Sequence, residues 1–203
     1  MLHRFADYRW LRGFNMIPSW GARIEQARRD YHGERFREAV ALATQTHANC
    51  IRLWIEFTAW MAEPDDVQAA FMDAVAAIAE QEMKAMPCLF NRWHDLGFDH
   101  GGTHECALYR DIEPMLGYVR ELVAPLATEE QILVWDLCNE PRTQAMCEPF
   151  AAHEMYWLGR VADTVRQAGA QQPIMVGTMH PGRNMDIFAP VCDVLCCHPH
   201  AHT

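Results

Sequence analysis

The stretch ILVWDLCNEP, residues 132–141, decides how this chain reads. Ile132, Leu133, Val134 and Trp135 form an apolar run of strand-forming types, short enough for a buried strand. The run then closes on Asn139, Glu140 and Pro141. A strand bound for a core that finishes on an amide and a carboxylate is delivering polar groups to a defined place. Proline restricts the residue before it, so an extended backbone is expected at Glu140. A carboxyl group at the mouth of an apolar sheet is favoured in its neutral form by desolvation, which suits a general acid. Asn139 adds hydrogen-bonding capacity beside it without adding charge.

The same alternation recurs on both sides of this segment. Apolar runs at residues 11–17, 50–55, 86–90, 132–138, 173–177 and 191–197 read as strands. Amphipathic stretches at 34–47, 64–83, 112–126 and 151–168 read as helices. The second helix is the best marked. Pro64, Asp65 and Asp66 suit a helix N-terminus, and Ala70, Phe71, Ala74, Val75 and Ile78 then line one face. Strands alternating with helices imply parallel βαβ units. No Gly-rich phosphate loop follows the first strand, where GFNMIPSWG stands instead, so a dinucleotide fold is disfavoured. The strand ends are polar throughout: Asn15, Glu56, Asn91 with Trp93, His94 and Asp95, then Asn139 and Glu140, His180, and His198 with His200. In a (β/α)8 TIM barrel, chemistry gathers at the C-terminal ends of the strands, and the barrel is therefore the expected fold. Six strands are read where a barrel has eight. The expectation is one catalytic domain over residues 1–203, truncated after strand 6 and incomplete at its C-terminus.

Composition bounds the partners. The formal net charge of −10 argues against nucleic acid and anionic membranes. No apolar run is long enough to span a bilayer, and the start, MLHRFADYRWLRG, has no secretory h-region. Eight cysteines lack CxxC spacing and several lie in apolar runs, which reads as reduced thiols in a cytoplasmic protein. His100, His104 and Cys106 cluster in DHGGTHEC, and HPHAH carries three histidines at alternate positions. Neither spacing matches a metal motif, so neither a metal nor another cofactor is expected. Nothing in the sequence specifies an oligomeric state.

WDLCNEP resembles the fourth-strand signature of clan A retaining glycoside hydrolases, the barrel enzymes that include the family 5 cellulases and mannanases. LRGFN, NCIRLW, PCLFNRWHD and LCCHPH resemble their first, second, third and sixth strands, in order. The resemblance implies an O-glycosyl hydrolase with Glu140 as acid/base and Asn139 on the sugar 2-hydroxyl. It implies Arg52, His94 and His198 lining the reactive subsite. It also implies a β-linked oligo- or polysaccharide as substrate. His200 stands where the family usually has a Tyr. Trp20, Trp54 and Trp93 lie near strand ends and could offer flat faces to sugar rings, whereas Trp10, Trp135 and Trp157 read as packing residues. The family's nucleophile is a Glu ending the seventh strand, and no such strand is read here, so the nucleophile is missing and the truncated chain by itself is expected to be inactive. Glu56, alternating with Arg52 and Trp54, is the first substitute to consider, ahead of Asp95 and Glu105. Two rival readings remain: a carbohydrate-binding remnant without turnover, and a metal-dependent barrel hydrolase using the His clusters.

Overall fold

The computed structural model describes residues 7–17, 20, 30–91, 94–95, 98–99, 111–141, 150–178 and 185–198. Six parallel strands form one sheet: β1 (Gly13–Met16), β2 (Cys50–Trp54), β3 (Lys84–Cys88), β6 (Trp135–Asn139), β7 (Ile174–Thr178) and β8 (Val194–Cys197). Their order in space is the order in sequence, β1-β2-β3-β6-β7-β8, and every neighbouring pair is parallel. This is the arc of a (β/α) barrel rather than a doubly wound sheet, which would reverse its strand order at a switch point. A short antiparallel pair, β4 (His94–Asp95) and β5 (Phe98–Asp99), follows β3.

Helices cover one face. They are α1 (Gly33–Thr44), α2 (Phe57–Ala62), α3 (Pro64–Ala79), α4 (Glu113–Val123) and α5 (Phe150–Gln167). Alternate strand residues such as Ile51, Leu53, Ala85, Ile174 and Val176 turn toward them and pack into one core with Phe36, Phe71, Leu122 and Trp157. The other set turns to the concave face, where Cys50, Leu133 and Met175 meet Leu11, Met86, Val194 and Cys196. At the β1–β2 contact a side chain on Gly13 would meet the Cys50 carbonyl oxygen at 2.4 Å, so this approach requires glycine.

Three helices are shorter than their patterns predict, α4 because it passes into a 3-10 turn over Ala124–Leu126. α1 stops before His47 and α3 before Glu82, each of which takes a left-handed backbone (φ 60° and 56°) that turns the chain into the next strand. α2 has no sequence signature because six residues are too few to show a helical period.

Candidate active site

The site begins with an irregularity in β6. Asp136 lies opposite Met175 and Asn139 opposite Gly177, so three steps along β6 match two along β7. In a regular strand, residues 136 and 139 would face opposite sides. The extra residue places both Leu137 and Cys138 in the helix-side core, and it brings Asp136 and Asn139 together on the concave face. Two consecutive buried apolar side chains where alternation demands one are what the bulge accommodates.

Arg52, projecting from β2, joins these residues. Its Nε donates to Asp136 Oδ2 at 2.9 Å, and its Nη2 donates to the same oxygen. Nη2 also donates to Asn139 Oδ1 at 3.0 Å, and Nη1 to Asn15 Oδ1 at 3.0 Å. Asp136 is fully buried and Arg52 nearly so. Burial works against the charged guanidinium, but the Asp136 carboxylate outweighs it and raises the Arg52 pKa. The neighbouring Cys88 thiol is pushed up by burial first and by Asp136 second, so it stays neutral. Asn139 is thereby fixed in orientation: its oxygen faces Arg52, and its Nδ2 donates to Asn91 Oδ1 at 3.4 Å.

Glu140 turns out of the strand. Its backbone does not take the extended form expected before proline. It sits at φ 51°, in the left-handed region, with its N–H donating to the Gly177 carbonyl at 2.7 Å. Proline disfavours the right-handed helical region for the preceding residue. The hydrogen bond to β7 then selects the left-handed turn over continuation of the strand. A non-glycine residue there carries strain of about 1–3 kcal/mol, a cost that recurs at functional sites. Glu140 Oε1 lies 2.8 Å from His198 Nδ1, within hydrogen-bond distance. The His198 N–H donates to the Thr178 carbonyl at 2.7 Å, which anchors the residue after β8 against the end of β7. Both side chains remain partly open, 15% for Glu140 and 21% for His198.

The structure thus brings Arg52, Asn139, Glu140 and His198 together at the C-terminal ends of the strands. Trp54 is half-buried, with the Arg52 guanidinium 5.6 Å from its ring. His94 lies in β4 by its backbone. Trp93, His200, His180, Glu105 and the cluster of His100, His104 and Cys106 lie outside the described residues. Glu56 is fully buried at the start of α2, so it presents no face to a ligand. Trp135 and Trp157 are fully buried, as expected of packing residues, but Trp10 is 42% exposed. Asp136 and Gly177 are site residues that pattern reading missed. The signal for Asp136 was present, since a carboxylate inside an apolar strand needs a cationic partner.

The sequence matches the family described as Cellulase (glycosyl hydrolase family 5) over residues 13–200. No curated protein matches it. Among solved structures it is similar to a subfamily 18 member of that family from Streptomyces cattleya in complex with GlcNAc. The TM-score is 0.70 at 16% identity, covering 92% of this chain and 50% of that one. It is also similar to the endo-1,4-β-D-mannanase of Thermotoga petrophila (TM-score 0.58, 18% identity, 75% and 53% covered). The endo-1,4-β-mannanase of Rhizomucor miehei gives a TM-score of 0.59 at 13% identity, with 86% and 58% covered. At these identities the likeness concerns the fold. The chain spans about half the length of these structures.

Proposed function

The chain belongs to glycosyl hydrolase family 5, the cellulase family, and on that premise we propose that it carries the acid/base half of a retaining glycoside hydrolase. The observation that carries this reading is the Glu140 carboxyl group, partly open at the strand ends and held 2.8 Å from His198 Nδ1. Protonated Glu140 gives its proton to the glycosidic oxygen as the bond to the anomeric carbon breaks and that carbon bonds to a second carboxylate, which is not assigned among the described residues. As the carboxylate Glu140 then takes a proton from the water whose oxygen displaces that second carboxylate and releases the sugar. His198 fixes one carboxyl oxygen. Asn139, locked by Arg52, directs its amide group at the sugar 2-hydroxyl. Arg52 acts mainly by holding Asn139, because Asp136, Asn139 and Asn15 already engage most of its donors. Trp54, Trp93, His94 and His200 take the sugar-lining roles that the family likeness implies.

Retention requires a second carboxylate about 5–5.5 Å from the first. Of the carboxylates described at the concave face and strand ends, Asp136 is bound to Arg52 and Glu56 is enclosed. Neither is assigned as nucleophile. The substrate proposed is a β-linked oligo- or polysaccharide. The mannanases among the structural neighbours make β-mannosides the first candidates, with β-glucosides second.

The test compares the wild-type chain with Glu140→Gln on aryl β-mannosides and β-glucosides of graded leaving-group pKa. If Glu140 is the acid, the variant loses about 10²–10⁴-fold on poor leaving groups and little on dinitrophenyl glycosides. An equal loss on all of them refutes the assignment. Binding of β-mannooligosaccharides without turnover of any aryl glycoside would favour a carbohydrate-binding role.

A further inference from the structure

We infer that Gly177 is a positioning residue whose missing side chain lets the His198 ring lie against β7 and reach Glu140. Glycine is not needed there for its conformational range, since its backbone is not left-handed. It is needed for space. A Cβ built on residue 177 would lie 2.7 Å from His198 Nε2 and 2.8 Å from Cε1, both well inside van der Waals contact. It would also come within 3.4 Å of Arg52 Nη2. His198 cannot absorb this by a small shift. Its backbone N–H is bonded to Thr178 O, and its Nδ1 to Glu140 Oε1. The ring must move away from β7, and the contact with Glu140 is what it gives up.

The backbone of Gly177 serves the same cluster. Its carbonyl accepts the Glu140 N–H at 2.7 Å and so holds the left-handed turn. Its N–H donates to Asp136 Oδ1 at 3.2 Å. One residue therefore touches the carboxyl group's backbone, the imidazole that faces that carboxyl, and the carboxylate that fixes Arg52. The role in catalysis rests on the reading of Glu140 as the acid; the positioning of His198 does not.

The experiment uses the full chain labelled with ¹⁵N-histidine, together with Gly177→Ala, His198→Ala and the double variant. In the wild-type background, Glu140→Gln shifts the His198 imidazole resonances. In the Gly177→Ala background that response is lost. Gly177→Ala lowers the thermal midpoint in the wild type, and the drop largely disappears once His198→Ala has cleared the space. A His198 response to Glu140→Gln that survives Gly177→Ala overturns the inference, as does an equal drop in midpoint in both backgrounds. If Gly177→Ala alone does not fold, a folded double variant supports the inference and an unfolded one overturns it. No readout uses turnover, so a chain that hydrolyses no glycoside would count against the proposed activity while leaving this test intact.

Discussion

Arg52 on β2 and Asp136 on β6 are joined across the concave face, over the strand β3 that separates them. Both are buried, and the guanidinium passes the Cys88 thiol of β3 on the way, with Nη2 3.5 Å from Sγ. Second-neighbour strands lie about 9.6 Å apart, a span that the long Arg52 side chain crosses to meet Asp136. The pair is thus the support on which Asn139 rests.

Removing one member should be costly. Asp136→Ala leaves a buried cation without its counter-charge, and a loss of about 3–5 kcal/mol is expected in urea unfolding. A double-mutant cycle with Arg52→Met should give a coupling above about 2 kcal/mol. Additive effects would show that the pair is not a unit.

Glu140 should obey an inverted substitution rule. Glycine is normally less stable than alanine outside turns, but at φ 51° alanine keeps the strain and glycine loses it. Glu140→Gly is expected to exceed Glu140→Ala in stability by about 1 kcal/mol, measured by chemical denaturation. The usual order, alanine above glycine, would contradict the left-handed turn.

Buried thiols set an alkaline limit. Burial pushes Cys50 up to about 12, while burial and then Asp136 push Cys192 to about 12 and Cys196 to about 11. Below the ordinary thiol range these groups are neutral in both states, so their contribution is fully present. Above it the unfolded chain ionises first, and stability is lost as pH rises toward the folded values. The expected slope is about 1.4 kcal/mol per pH unit per thiol beyond pH 9. Urea midpoints between pH 7 and 10.5 should fall, and Cys50→Ala with Cys192→Ala should flatten the decline.

Edge strands should mediate self-association. Among the described residues β1 pairs only with β2 and β8 only with β7, and Phe14, Ile17 and Leu195 are exposed near these edges. Unpaired edges with apolar side chains recruit further chains. Sedimentation velocity should show concentration-dependent association that Leu195→Lys reduces. A sharp monomer at all concentrations would refute this.

Metal should play no part. The histidine-rich segments lack ligand spacing, so elemental analysis after dialysis should show no stoichiometric zinc. One retained equivalent would revive the metal-dependent reading.

The sequence by itself determined the alternation of strands and helices, the parallel order, and the strand end on which Asn139 and Glu140 stand. Those features are local: apolar runs of strand length, helical spacing, and polar residues where a run stops. It also carried the order of motifs that marks the family. Tertiary structure alone decided which side chains meet. The bulge at Leu137 and Cys138 turns Asn139 to the side of Asp136, and no period-two pattern encodes that change of face. The hydrogen bond from Glu140 to Gly177 replaces the extended backbone that Pro141 suggests, because a partner 37 residues away in sequence outweighs a local preference. Gly177 reads as an ordinary strand residue until the His198 ring is seen lying against it. Spacing along the chain specifies what each strand delivers, whereas the curvature of the sheet and the register between strands specify what those groups touch.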